Sequence, residues 1–160
     1  MLHRRLPRLD LPGEGYFLGC NTEGRRRFFG NPALAQLILD LYVAERERGK
    51  ILLHGYVVMP DHYHVILSLR GEPSVSALLR RVHSFFLRDS SEITGIKRRF
   101  FQRRPYDHVL RDERDFLEKL EYCHNNPITA GLVKEIIDWP WSSFRFWYTG
   151  EGPIRCDGWE

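Results

Sequence analysis

The stretch that decides the fold runs from residue 51 to residue 69 and reads ILLHGYVVMPDHYHVILSL. Two apolar runs, each with the length and the β-branched content of a buried strand, lie on either side of Pro60-Asp61. Proline and aspartate are common in turns, so this pair can reverse the chain. The stretch therefore predicts a β-hairpin whose strands cover residues 51–58 and 62–69.

On the N-terminal side of the hairpin, the sequence predicts one strand and one helix. Residues 15–22 combine aromatic and aliphatic side chains, as in a short strand. Asn31 followed by Pro32 is typical of a helix start, because asparagine caps helices and proline fits the first helical position. Apolar residues then recur at helical spacing, so we expect this helix to run to about Arg48.

On the C-terminal side, the sequence predicts a helix, a strand and a further helix. Ser74 is a suitable N-cap for the second helix, and residues 106–110 form a short strand candidate. Asp112 starts the third helix, which is expected to end near Asn126 because Pro127 follows. The order β-α-β-β-α-β-α predicts an α+β fold, namely a ferredoxin-like domain with a central antiparallel β-sheet and helices packed on it.

The composition indicates a globular protein. Hydrophobic residues make up 42% of the chain and charged residues 28%, which is typical of a folded domain rather than a disordered chain. No apolar run approaches the roughly 20 residues that a membrane span requires, and no signal peptide is evident. We therefore expect a cytoplasmic protein that forms a single domain over residues 1–160, with a core at 14–148 and a C-terminal tail at 149–160.

The net charge is only +3, but the charge is unevenly distributed along the chain. Residues 97–104 carry five positive charges and no negative one, whereas residues 112–121 carry five acids against two bases. This separation predicts a basic surface that meets a polyanion, with the acidic segment elsewhere and with Phe100 or Phe101 available to stack on bases. For any single cluster, a merely solvated loop is an equally good explanation. The candidate phosphate contacts are Arg25, Arg26, Arg27, Lys97, Arg98, Arg99, Arg103 and Arg104.

His62 and His64 lie at the start of the second hairpin strand. Side chains alternate across a strand, so the two imidazoles share one face, while Tyr63 and Val65 lie on the other. Two histidines at this spacing have Cβ atoms roughly 6–7 Å apart and can bind one metal ion. The alternative is a pair of ordinary histidines at a strand end, and this motif alone leaves both open.

The third helix carries a tyrosine, Tyr122, that does not lie on its apolar face. Its apolar stripe consists of Phe116, Leu117, Leu120 and Cys123. Tyr122 points about 160° away from the centre of this stripe, on the face that holds Asn126 one turn later. Such a pair suits phosphodiester chemistry, because a phenolate can attack phosphorus while an amide oxygen binds a metal. The alternatives are an exposed, stacking tyrosine and an asparagine that caps the helix before Pro127.

Four motifs in register resemble a known family. They are MPDHYHVIL at 59–67, QRRPYDHVLRDE at 102–113, YCHNNPITAGLV at 122–133 and DWPWSSF at 138–144. Together they are similar to the HUH single-tyrosine transposases, specifically the REP-associated tyrosine transposases, over most of residues 15–148. The resemblance implies a ferredoxin-like nuclease domain with Tyr122 as the nucleophile.

The resemblance also implies a metal site, a reaction and a partner. His62, His64 and Asn126 would hold a divalent metal, Mg²⁺ or Mn²⁺, with Asn126 at the position where related insertion-sequence enzymes usually have glutamine. The family cleaves single-stranded DNA at or near a short hairpin, forms a 5′-phosphotyrosine link, leaves a free 3′-OH and can rejoin strands. The expected partner is therefore single-stranded or hairpin DNA with REP-like palindromes, and a monomer is favoured over a dimer. Tyr63 departs from the small aliphatic residue that is more common between the two histidines.

Several alternatives start from the same residues. A hairpin-DNA-binding protein of the same fold would not cleave, and a structural zinc site would use His62 and His64, although the three widely spaced cysteines supply no obvious partners. Tyr106 is a rival nucleophile that lacks a carboxamide four residues later. His108 and His124 are candidates to support the metal ligands from behind, and hydrogen-bonded structural histidines are the alternative.

Overall fold

The structure is a computed structural model that describes residues 14–159, and its centre is a four-stranded antiparallel sheet. The strand order is β2-β3-β1-β4, and each neighbouring pair is antiparallel. The predicted hairpin is confirmed, because β2 and β3 are adjacent in the sheet and are joined by two residues. The strands are β1 (Gly15–Asn21), β2 (Ile51–Met59), β3 (His62–Leu69) and β4 (Tyr106–Val109).

The α-helices of the described part are α1 (Pro32–Glu47), α2 (Val75–Thr94), α3 (Glu113–Thr129) and α4 (Phe144–Thr149). The predicted caps are confirmed, since the side chains of Asn31, Ser74 and Asp112 each accept a hydrogen bond from a backbone N–H of the first helical turn. The element order and the sheet order together give the predicted α+β, ferredoxin-like fold. None of the helices within residues 14–159 combines the length and the apolar character that a membrane crossing requires.

The two faces of the sheet carry different sets of side chains, because side chains alternate along each strand. Leu18 and Tyr63 face the layer formed by α1 and α2, where the larger part of the core lies. Phe17 and Ile66 face the opposite side and pack against α3. The apolar contacts of α3 on this side are Phe116, Leu120 and Cys123.

The apolar stripe of α3 is narrower than predicted. Leu117, which the helical spacing places in the stripe, is 51% exposed. The sheet covers only one side of α3, so a residue at the margin of the stripe remains in solvent. The prediction for Leu117 is therefore wrong.

The predicted end of α3 is also wrong, since the helix continues through Pro127 to Thr129. Proline lacks an N–H and so leaves one carbonyl of the preceding turn without its helical hydrogen bond. The next bonds are nevertheless made, because the Ala130 N–H bonds the Asn126 carbonyl at 3.0 Å and the Leu132 N–H bonds the Pro127 carbonyl at 2.9 Å. The last turn of α3 therefore stays closed.

The segment after α4 packs against the rest of the domain. Trp159 stacks on Phe116 of α3, with ring centroids 5.1 Å apart. The Asp157 carboxylate accepts a hydrogen bond from the Leu53 N–H of β2 at 2.9 Å. The core therefore includes residues beyond the predicted boundary at 148.

Gly55 lets α3 approach the sheet closely. A Cβ atom at this position would lie 2.6 Å from Cδ1 of Leu120 and 3.3 Å from Oγ of Ser143. The register of β2 against β3 shifts between Leu53 and Gly55, as at a β-bulge, where glycine is common. Close packing at Gly55 therefore sets how near α3 lies to the strands.

Replacing Gly55 by alanine is expected to push α3 away from the sheet. The added methyl group overlaps with the Leu120 side chain, and overpacking of this kind costs about 1–3 kcal/mol. The free energy of unfolding, measured by urea denaturation, should fall by this amount. Gly30→Ala is the matched control, since a Cβ atom there meets nothing within 4 Å. An equal loss in both variants would contradict the role of the close approach.

Candidate active site

His62 and His64 lie together on the α3 face of the sheet, at the start of β3. Their ring centroids are 5.1 Å apart and their planes are nearly perpendicular, at 78°. The ring of Phe17 from β1 stacks on His64 with centroids 4.8 Å apart. The structure thus brings the two predicted imidazoles together and supports one of them with a neighbouring aromatic ring.

Each imidazole directs its Nδ1 atom to an oxygen of the protein. Nδ1 of His62 lies 2.7 Å from Oδ1 of Asp61, and Nδ1 of His64 lies 3.3 Å from the carbonyl oxygen of Leu18. Both oxygens accept hydrogen bonds, so Nδ1 carries the proton in each neutral ring and the Nε2 lone pair is left available. Metal-ligating histidines are commonly oriented in this way, and the pair fits a divalent metal.

Gly19 makes room for the His64 ring. Gly19 is the register partner of His64 in the β1–β3 pair. A Cβ atom at Gly19 would lie 2.9 Å from both Cε1 and Nδ1 of the imidazole, which is too close for a real contact. Any other residue at this position would therefore displace the ring.

The surroundings of His64 favour its neutral form. Burial lowers the pKa of His64 to about 4, and the neighbouring His62 and the Arg25 cation act in the same direction. The hydrogen bond to the Leu18 carbonyl raises the pKa, but this effect is smaller than the lowering by burial. His64 is therefore neutral at neutral pH, and a neutral imidazole is the form that can bind a metal.

Tyr122 of α3 reaches the same place. Its ring meets His64 edge to face, with centroids 5.5 Å apart, and meets Phe17 in the same manner at 5.8 Å. Tyr122 is nevertheless 54% exposed, so the ring remains open to a substrate. Lys119, one turn earlier on α3, places Nζ 5.8 Å from the centre of the Phe17 ring and adds a positive charge nearby.

Asn126 lies one helical turn after Tyr122, on the same face of α3. It is not the helix C-cap, because α3 continues and Ala130 holds that position. Asn126 and Tyr122 line one shallow depression of about 410 Å³. Within residues 14–159, no group of three or more His, Cys, Asp and Glu residues is arranged to hold a metal. His62 and His64 are not among the residues that line this depression, so the contact of Tyr122 with His64 is what links Asn126 to the histidine pair.

The acidic segment is not remote from this depression. Glu118 and Glu121 line it together with Tyr122. The charge pattern predicted that the acidic segment lies away from the basic surface. The acids lie on α3, the helix that carries Tyr122, and none of the described residues that line the surface of segment 99–105 is acidic.

The other two predicted histidines are bound to other parts of the protein. Nε2 of His108 lies 2.8 Å from the carboxylate of Asp115, and Nε2 of His124 lies 2.8 Å from Oγ of Ser143. The first contact joins β4 to α3, and the second joins α3 to the segment before α4. Both rings are thus placed as hydrogen-bonded structural histidines, at contacts that hold α3 in position.

Tyr106, the rival nucleophile, lies at the edge of the site. It is the first residue of β4 and is 50% exposed. Its ring contacts Phe17 edge to face with centroids 6.0 Å apart. Tyr122 contacts both Phe17 and His64, so it is the better placed of the two phenols.

The basic residues lie in two places. Arg25 lies beside the histidine pair, where its guanidinium donates hydrogen bonds to the carboxylate of Asp61 at 3.1 Å and to the side-chain oxygen of Asn21 at 2.6 Å. Arg26 and Arg27 follow it and are exposed. The other five are exposed in the segment between α2 and β4, namely Lys97, Arg98, Arg99, Arg103 and Arg104.

The prediction that Phe100 or Phe101 stacks on bases is wrong. The two residues are only 2% and 7% exposed. Phe100 packs on Phe28 with ring centroids 4.6 Å apart, and Phe101 stacks on His83 at 3.9 Å. Their burial fastens the basic segment to the core.

Three residues of the site are missed by sequence reasoning, namely Phe17, Gly19 and Asp61. Asp61 looks like a turn residue, although an acid directly before a histidine is a signal that a carboxylate orients the ring. Phe17 and Gly19 give no such signal, because their roles depend on the register of β1 against β3.

Comparison with known proteins supports the resemblance, although no family model matches the chain. The chain is 28% identical over 139 residues to the REP-associated tyrosine transposase of Escherichia coli (strain K12), which covers 86% of this chain and 81% of that protein. A solved structure of a REP-associated tyrosine transposase bound to a REP hairpin superposes with a TM-score of 0.74 at 27% identity, covering 96% of this chain and 91% of that one. The chain is similar to the REP-associated tyrosine transposases in sequence and in fold.

Two further comparisons extend beyond the REP-associated tyrosine transposases. An uncharacterized protein of Haemophilus influenzae is 29% identical over 160 residues, covering 79% of this chain and 89% of that protein. A solved structure from Deinococcus radiodurans R1 superposes with a TM-score of 0.50 at 16% identity, covering 78% of this chain and 97% of that one. At this low identity the second comparison shows a shared fold alone.

The stability of the protein should fall as the pH drops from about 6.5 to about 4. Burial lowers the pKa of His64, His83 and His124 to about 4 in the folded protein, whereas the unfolded chain binds these protons near pH 6.5. The unfolded state therefore takes up protons first as the pH falls. This lowers the free energy of unfolding by up to about 1.4 kcal/mol for each histidine and each pH unit. Urea unfolding across this pH range measures the slope. His64→Gln should reduce it by about one third, and an unchanged slope would contradict the assignment to His64.

Proposed function

We propose that this protein nicks and rejoins single-stranded DNA near a hairpin through a covalent bond between Tyr122 and a 5′-phosphate. The observation that carries the proposal is the contact of Tyr122 on α3 with His64 on β3, at 5.5 Å between ring centroids. It joins a nucleophile to a pair of candidate metal ligands that are distant in the sequence. The related structure bound to a REP hairpin supports hairpin DNA as the partner.

In the proposed reaction, the Tyr122 oxygen attacks the phosphorus atom of a phosphodiester. The bond from phosphorus to the phenolic oxygen forms, and the bond from phosphorus to the 3′-oxygen breaks. The phenol loses its proton and the departing 3′-oxygen takes one up, so the products are a 5′-phosphotyrosine and a free 3′-OH. Attack of a 3′-OH on the phosphotyrosine reverses these changes and rejoins the strands.

His62, His64 and Asn126 are proposed to hold a divalent metal, Mg²⁺ or Mn²⁺. When bound, such an ion polarises the scissile phosphate and stabilises the charge that develops during the displacement. The two Nε2 atoms and the amide oxygen are neutral donors, so the affinity for a hard cation should be modest in the absence of DNA. The Asp61 carboxylate and the Leu18 carbonyl hold the imidazoles in the ligating orientation.

The proposed site needs only one copy of the chain. Tyr122 contacts His64 of its own chain, which supports a monomer as the active form. Arg25, Arg26 and Arg27 beside the histidine pair, and the exposed basic residues of 97–104, are proposed to bind backbone phosphates.

Tyr122→Phe should abolish a covalent protein–DNA product, because it keeps the ring that packs on His64 and removes only the nucleophilic oxygen. The measurement is incubation with labelled, hairpin-bearing single strands and Mn²⁺, followed by a denaturing gel. Tyr106→Phe is the matched control, since it removes a hydroxyl group at the edge of the same site and should still give the covalent band. A band with Tyr122→Phe would refute the nucleophile. Salt-sensitive binding without any wild-type band would instead support a hairpin-binding protein that does not cleave.

Asp61→Ala should lower the metal-dependent rate of covalent product formation roughly 10–100-fold, because His62 loses the carboxylate that orients its ring. The rate is measured against Mn²⁺ concentration, and the variant should require more metal. Asp40→Ala is the matched control, since Asp40 lies on α1 and bonds only to Gln36 among the described hydrogen bonds. The same Mn²⁺ dependence in both variants would refute the role of Asp61.

A further inference from the structure

A second basic surface lies on the α2 side of the sheet, opposite to α3. The segment 99–105 passes along α2 and encloses with it a cleft of about 690 Å³, which we call the α2 cleft. Arg80 lines it from the helix. Three arginines line it from the segment, namely Arg99, Arg103 and Arg104.

The charge of the α2 cleft is positive, and within residues 14–159 Arg99 is the one of its four arginines with an acidic partner, Glu23 at 3.9 Å. None of the described residues that line it is acidic, and no ion pair within residues 14–159 involves Arg80, Arg103 or Arg104. Arg81 shows the contrast, because carboxylates of α1 and of the loop before α2 both bind it. The cleft therefore presents guanidinium groups that are available to an anionic ligand.

The floor of the α2 cleft is apolar and firmly held. Phe101 stacks on His83 with ring centroids 3.9 Å apart, and Nε2 of His83 lies 2.7 Å from the hydroxyl group of Tyr63. Tyr63 lies between the two histidines of the site along β3, with its ring on the other face of the sheet. The floor is thus fastened to the strand that carries the candidate metal ligands.

The α2 cleft leads towards the edge of the candidate active site. Pro105 is the last residue in the chain that lines the cleft. The next residue, Tyr106, starts β4 and contacts Phe17 on the side of the site. Consecutive Cα atoms are about 3.8 Å apart, so the end of the cleft at Pro105 lies next to Tyr106. A single DNA strand in the cleft can therefore continue around β4 towards Tyr122.

We infer that the α2 cleft binds the sugar–phosphate backbone of the single strand that extends beyond the cleaved phosphodiester. This inference rests on the proposed function and assigns a surface to the rest of its substrate. Four guanidinium groups around an open cleft suit a flexible polyanion, because each can bind phosphate oxygens through two parallel hydrogen bonds. Arg80 is thus an additional phosphate contact, which lies on α2 and not in the basic segment 97–104.

Fluorescence anisotropy with Tyr122→Phe protein tests the inference without cleavage. The probes are one hairpin DNA with single-stranded extensions of about 4 or about 12 nucleotides. The longer extension should bind more tightly. Adding Arg80→Gln should raise the Kd of the longer probe roughly 3–10-fold. For this probe, the slope of log Kd against log salt concentration should fall by about 0.7, whereas binding of the shorter probe should not change. Arg145→Gln, an exposed arginine of α4 beside the β2 edge, is the matched control and should change neither.

Three results would overturn the inference. They are an unchanged Kd of Arg80→Gln for the longer probe, an equal loss on both probes, and an equal effect of Arg145→Gln. The outcome is separate from that of the proposed chemistry, because the assay uses protein without the nucleophile. If wild-type protein forms no covalent product but binding depends on extension length and on Arg80, the nicking function fails and the cleft assignment stands.

Discussion

The close approach of β1 and β3 at Gly19 is the constraint on which the candidate site depends. A residue without a Cβ atom lets the His64 ring lie across β1, where a Cβ atom would come within 2.9 Å of the imidazole. Phe17, two residues earlier on the same face, then stacks on His64 and also meets Tyr122. One aromatic ring therefore contacts both the candidate ligand and the candidate nucleophile, and it limits how far either can move.

The alternation of side chains along β3 places the two candidate metal ligands on one face of the sheet and the core residue between them on the other. His62 and His64 face α3, whereas Tyr63 faces the opposite layer, fully buried, with its hydroxyl group hydrogen-bonded to Tyr42 and His83. This arrangement explains how the chain accommodates a bulky residue where the family more commonly has a small aliphatic one. The phenol finds polar partners in the core, and its ring stays out of the site.

Local signals predicted the elements of the fold better than their contacts. The caps at Asn31, Ser74 and Asp112 are short-range hydrogen bonds, so residue type and position are enough to predict them. The end of α3 is not predictable in this way, because Pro127 removes a single hydrogen bond while the backbone bonds of the following residues still form. The burial of Phe101 likewise depends on α2, which lies outside any local pattern around the basic segment.

The sequence by itself determined which residues are candidates for the proposed chemistry. Two histidines share a strand face, and a tyrosine shares a helix face with an asparagine, because strand and helix periods are local properties of the chain. Only the tertiary structure decided that these two faces meet. Gly55 lets α3 pack closely on the sheet, and Gly19 lets the His64 ring lie against β1. Phe17 contacts both His64 on the strand and Tyr122 on the helix. Each of these contacts links residues that are far apart in the sequence, so no local pattern encodes it.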